Sequence, residues 1–159
     1  MTAPTKQTLK AELLARLGAD LLALERAHRA TCEGATHEEA KPENDKDTRA
    51  LEQSYLARGQ AVRIEELRAS IAAVNALSLR DFEGKRATVG ALVTIEENGE
   101  ESTLLLAPAG GGAHLADGAV QVVTPMSPLG RALLGQNAGD AAEIVVAGKT
   151  RTMQVVRVS

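Results

Sequence analysis

From Leu14 onward the inward-type residues recur at alternating spacings of three and four: Leu14, Leu17, Leu21 and Leu24, continued by His28 and Thr31. The same alternation returns at Ile64, Leu67, Ile71 and Val74, with Ser78 next. Such spacing puts one side chain per turn on a single stripe, the seam of a coiled coil. Between the two runs, residues 33–47 hold almost no apolar side chain and carry Gly34 and Pro42, both helix breakers. The pattern therefore predicts two long helices folded back on each other, with the turn inside 33–47. Folding about Ala40 sets Leu24 level with Leu56 and Leu17 level with Ile64. Each arm of ~30 residues would be about 45 Å long at ~1.5 Å per residue.

After Asp81 the composition changes from Ala, Leu, Glu and Arg to Val, Thr and Gly, which marks a boundary between residues 1–79 and 80–159. Ala87 to Ile95 reads as an apolar strand, and Asn98-Gly99 as a hairpin turn because both residues tolerate positive φ. Ser102 to Ala107 is the returning strand, Gly110-Gly111-Gly112 a mobile loop, and Ala119 to Thr124 a third strand. Ser127 can cap a helix, Pro128 suits its first turn and Gly135 its left-handed stop, so one short helix is marked at both ends. Glu143 to Ala147, a turn at Gly148-Lys149, and Thr150 to Val158 complete a last hairpin. The expected fold class is α+β: a helical hairpin followed by a small antiparallel sheet with one short helix.

The aromatic count narrows the functions open to such a chain. Tyr55 and Phe82 are the sole Tyr and Phe, without any Trp, so the core must be built from Leu, Val, Ile and Ala. Single-strand nucleic-acid platforms need several stacking rings, and so do aromatic cages and proline-binding grooves. Lys and Arg total 18 against 21 Asp and Glu, a net charge of -3, which argues against affinity for duplex DNA through phosphate neutralisation. The lone Cys32 forms no internal disulfide, no h-region follows the N-terminus, and no stretch approaches ~20 apolar residues. A soluble, cytoplasmic protein without membrane attachment is the expectation.

The run Ser127-Pro128-Leu129-Gly130-Arg131-Ala132-Leu133-Leu134-Gly135, followed by Gly139-Asp140, resembles the "SPLGRALLG…GD" signature of the bacterial GreA/GreB transcript-cleavage factors. The order of a helical hairpin and a sheet domain, and the Glu43-Asn44 pair in an acidic tip, agree with it. The resemblance implies an FKBP-like C-terminal domain that docks at the rim of the RNA polymerase secondary channel, while the hairpin reaches down the pore. It implies that tip acids help hold the second catalytic Mg²⁺, shared with the polymerase, whose own site cleaves the 3′ end of backtracked RNA. The chain would then be no enzyme by itself and would bind no cofactor alone.

Family tips commonly read "GDLSENAEY". Aligning Glu43-Asn44 with the "EN" puts Ala40 at the first acid, with Glu39 one place away, and Asp47 at the tyrosine. Glu39 and Glu43, four apart, would share one face of a helical turn, and they are the leading candidates as catalytic and metal-holding acids acting in trans. Glu38, Asp45 and Asp47 form a second rank. In the signature helix, Leu129, Leu133 and Leu134 read as core, Gly130 as a close-packing position, and Arg131 either as a polymerase-docking side chain or as half of an ion pair. His28 reads as a packed seam histidine. His37-Glu38-Glu39 lacks the H-E-x-x-H spacing of a zinc site, and His114 falls in a loop. The alternatives are a non-cleaving secondary-channel regulator resembling Gfh or DksA, a structural coiled-coil dimer, and an FKBP-type isomerase. A monomer is the expected state.

Overall fold

The computed structural model describes residues 3–39 and 44–159, with side chains described for 3–34 and 48–159. Helix α1 spans Lys6–Glu39 and helix α2 spans Asn44–Asn75. The Thr5 hydroxyl accepts a hydrogen bond from the Thr8 amide at 3.1 Å and so caps the start of α1. Gly34 does not stop α1, contrary to the sequence expectation, and the break between the helices is narrower than 33–47. A mid-helix glycine costs only about 1 kcal/mol, which continued hydrogen bonding and the packing of Gly34 against the Gln53 side chain offset. Among the described residues no helix is long and apolar enough to cross a membrane.

By packing the chain divides into two units. One joins the chain up to Leu14 with Ala72–Ser159, and the other is Ala15–Ile71. In the first unit, Leu9, Leu13, Val74 and Leu77 are buried, as the seam spacing requires for Val74, whereas Ser78 lies beyond the helix and is exposed. In the second, Leu17, Ile64 and Leu67 are buried and Leu21, Leu24, His28 and Thr31 are half-buried on the expected stripe. Leu56 is exposed, not level with Leu24 in the seam, because Ala57 and Gln60 occupy the inward positions there.

The sheet holds six strands in the order β3-β4-β2-β1-β6-β5. These are β1 Leu92–Glu97, β2 Glu100–Leu106, β3 His114–Leu115, β4 Val120–Val123, β5 Ala141–Val146 and β6 Lys149–Val158. Every neighbouring pair is antiparallel except β2 and β4, which run parallel. Residues 107–119 are long enough to return the chain to the same end of the sheet, the condition for a parallel pair. Strand β1 begins later than Ala87, because Gly90 turns the chain at φ 101° and the Ala91 amide bonds back to the Thr88 carbonyl.

Asn98 and Gly99, at φ 55° and 82°, join β1 to β2 with Glu97 opposite Glu100, the two-residue turn expected. The second hairpin turns one residue earlier than the sequence suggested, at Ala147-Gly148, with Val146 opposite Lys149. The triple glycine lies in the loop between β2 and β3 and is tied to its surroundings. Its Gly112 amide bonds the Val122 carbonyl, and Gly110 packs against Leu13.

Helix α3, Pro128–Leu133, covers one face of the sheet. Beneath it lies a core of Val93, Ile95, Leu104, Leu106, Met153, Val155 and neighbours, with Leu133 fully buried and Phe82, Leu129, Ala132 and Leu134 packed against it. Among the described residues, every residue buried as a whole is apolar or glycine.

Candidate functional site

The acidic tip stands at the junction of the two helices. Glu38 and Glu39 belong to the last turn of α1, and Asp45 and Asp47 to the first turns of α2. Glu43 lies outside the described residues, as do the side chains of Glu38, Glu39, Asp45 and Asp47.

The signature segment is built by short-range hydrogen bonds. Ser127 donates its hydroxyl to the Thr124 carbonyl at 2.8 Å and accepts from the Gly130 amide at 3.0 Å, which caps α3 as expected. Pro128 occupies the first turn, where no amide hydrogen is needed. Gly135 leaves the helix at φ 82°, and its amide bonds the Ala87 carbonyl while the Ala87 amide bonds Gln136. Gly139 and Asp140 tie the following turn to β6: the Gly139 amide donates to the Val155 carbonyl, the Val155 amide to the Asp140 carbonyl, and the Asp140 carboxylate accepts from the Asn137 amide at 2.8 Å. The signature is thus mostly architecture. Arg131 is the exception, exposed on the last turn of α3 and without an ion pair among the described residues.

Beside α3, Leu129, Ile95 and Leu104 floor a cleft of about 350 Å³, with Glu97 and Arg151 at its rim. Arg151 donates to both carboxylate oxygens of Glu97, at 2.8 and 2.6 Å. The guanidinium hydrogen bonds, more than its charge alone, hold the Glu97 carboxyl below the usual glutamate range and raise Arg151 in turn. None of the described residues lining this cleft is aromatic. Fifty-odd positions of separation hide the pair from any local reading of the sequence.

At the base of the hairpin, Lys10 donates to the carbonyls of Asn75 and Leu77 at 2.8 and 3.1 Å, where α2 ends. Lys6 donates to the Arg80 carbonyl at 2.6 Å and lies 4.8 Å from the centre of the Phe82 ring. Burial lowers its ammonium pKa, opposed by Asp81. These two lysines were not singled out from sequence; their partners are over sixty residues away.

In the hairpin unit, His28 and Cys32 are half-buried, with Sγ 3.6 Å from Nε2. They line a cleft of about 510 Å³ together with Arg68. That guanidinium bridges Glu25 at 3.2 Å and Glu65 at 2.7 Å, and hydrogen bonding to Glu25 first, then Glu65, raises its pKa. His114 sits in β3 rather than in a loop and is exposed. Among the described residues no three His, Cys, Asp or Glu side chains converge to hold a metal ion.

A family model described as "Transcription elongation factor, GreA/GreB, C-term" matches residues 83–159. The transcription elongation factor GreA of Magnetococcus marinus is 30% identical over 100% of this chain and 96% of its own length. That of Rhodospirillum rubrum is 30% identical over 91% of this chain and 92% of its own. Among solved structures, Thermus aquaticus Gfh1 aligns with 91% of this chain and 92% of its own at 20% identity, with a TM-score of 0.41.

Proposed function

We propose, from the premise that the chain belongs to the GreA/GreB family of transcription elongation factors, that it binds RNA polymerase and modulates elongation through the enzyme's secondary channel. The observation that carries this reading is the extent of the similarity: it runs through hairpin and sheet unit alike, over 100% of this chain and 96% of a GreA relative.

The tip supplies the chemistry. Glu38, Glu39, Glu43, Asp45 and Asp47 are hard oxygen donors, the set that suits Mg²⁺, an ion usually held by one or two carboxylates with substrate phosphates and water. Glu39 and Glu43 are the pair we assign to hold it inside the polymerase complex. Bound there, the ion would activate the attacking water and stabilise the leaving oxygen of the RNA backbone. The second-rank acids deepen the negative potential around the pair. The chain itself contributes placement, not a complete active site, and so does not catalyse alone.

A second reading is favoured by one specific feature: Ala40 and Asp47 stand where the family commonly carries an acid and a tyrosine. On that reading the same route is occupied without stimulation of cleavage, and pausing or initiation changes instead.

Transcript cleavage in stalled, backtracked elongation complexes separates them. Stimulation by the intact protein that falls at least about tenfold, ~1.4 kcal/mol of barrier, in both Glu39→Ala and Glu43→Ala supports the tip assignment. Competition with a Gre factor for core polymerase, without cleavage, supports the second reading. An absence of any binding at micromolar concentration would overturn both.

A further inference from the structure

In the hairpin unit the apolar pattern is inverted towards the tip. Among the described residues its buried side chains, Leu17, Ile64 and Leu67, all lie in the half remote from residues 34 and 48. On the α2 segment 48–63 the inward, half-buried positions are Ala50, Gln53, Ser54, Ala57, Gln60 and Ala61. The large apolar residues of the same segment face outward: Leu51 is 55% exposed, Tyr55 61%, Leu56 55% and Val62 60%.

Two of the inward groups are positively unfavourable. The Oε1 atoms of Gln53 and Gln60 are buried without a hydrogen-bond partner among the described residues. A buried acceptor left unpaired forfeits the water bonds it had in the unfolded chain. Opposite them, no residue of α1 from Leu21 to Gly34 is buried. Gly59 adds a helix-weakening residue to α2. The cross-helix bridge Glu25–Arg68 sits at the inner edge of this stretch and is solvent-exposed, so it adds little.

We infer that the outer part of the hairpin, residues 24–34 with 48–60, is a separate unit of low stability that opens while the inner part around Leu17, Ile64 and Leu67 stays folded. Cooperative sub-domains of this kind follow the density of buried apolar contacts, and here that density ends at Ile64. The inference does not depend on the polymerase reading. Glu38 and Glu39 on α1, and Asp45 and Asp47 on α2, continue the helices of this unit, so opening would shift them.

Hydrogen exchange of the full-length protein, read by peptide mass spectrometry, tests it without any partner. Amides of 24–34 and 48–60 should exchange at least about tenfold faster than those of 62–74, a ratio equivalent to ~1.4 kcal/mol of opening free energy. Gln60→Leu, which gives the seam an apolar side chain and removes an orphaned acceptor, should slow exchange in both outer segments and nowhere else. Tyr55→Gln, on the outward face, should leave it unchanged. Uniform protection along both helices would overturn the inference, and so would loss of outer protection in Tyr55→Gln, since that ring would then be part of the seam.

Discussion

Gly130 lies so close to Thr124 that a side-chain carbon at position 130 would overlap the Thr124 carbonyl oxygen and come within 2.7 Å of its carbon. The same carbonyl accepts the Ser127 hydroxyl, so strand end, cap and helix share one tight junction. Gly130→Ala must push backbone from backbone. A loss of about 3 kcal/mol in urea unfolding is expected, the upper range for overpacking. Ser127→Ala, which removes only the cap, should cost about 1 kcal/mol. A smaller loss for Gly130→Ala than for Ser127→Ala would show that the junction can slide.

Gly110 and Gly112 have nearly the same backbone angle, φ 84° and 89°, but different surroundings. A Cβ at Gly110 would stand 2.7 Å from Leu13 Cδ1, whereas nothing lies within 4 Å at Gly112. Both alanine variants carry the left-handed strain of about 1 kcal/mol. Only Gly110→Ala must also displace Leu13, so it should be the less stable by roughly a further 1 kcal/mol. Equal melting curves would refute the packing assigned to Leu13.

The Glu97–Arg151 pair makes a pH prediction. Its carboxyl is held low in the folded state by the guanidinium. Stability from that shift is present above the unfolded glutamate pKa and is lost as pH falls through the folded value. Arg151→Met should move the Glu97 titration upward, followed by NMR, and flatten this acid limb of the stability curve. Both partners are solvent-accessible, so the effect should be small and shrink with added salt. A Glu97 titration that stays in place would show that Arg151 does not hold the carboxylate.

Lys10 reaches the Asn75 carbonyl, left open by the end of α2, and the Leu77 carbonyl just beyond it. Replacing it with Met keeps the stem and deletes the donor. About 1 kcal/mol should be lost on denaturation, with faster exchange at amides 74–77. Unchanged stability would mean that water serves those carbonyls equally well.

Much of this architecture is written locally. Ser127, Pro128 and Gly135 mark α3 because each residue's own chemistry suits a helix end, and Asn98-Gly99 marks a turn for the same reason. The heptad spacing of Leu14 to Thr31 identifies a stripe, and that stripe is the inward one. Seams are less legible in α2. Leu56 has the right chemistry for an inward residue, yet Ala57 and Gln60 hold the inward positions, because the partner helix, not hydropathy, chooses the face.

Sequence alone determined the two-part α+β plan, the short helix with its caps and the family, all set by nearest-neighbour backbone preferences and a contiguous motif. Tertiary structure decided what depends on distant partners: the parallel pairing of β2 with β4, the tight seating of Gly130 and Gly110, the bidentate pair of Glu97 with Arg151, and the Lys10 cap at the end of α2. These join residues tens of positions apart, and no local spacing records which carbonyl or carboxylate the folded chain will bring within reach. The outer hairpin lies between the two cases: its helices follow from composition, whereas the polar seam that weakens them emerges only once the helices face each other.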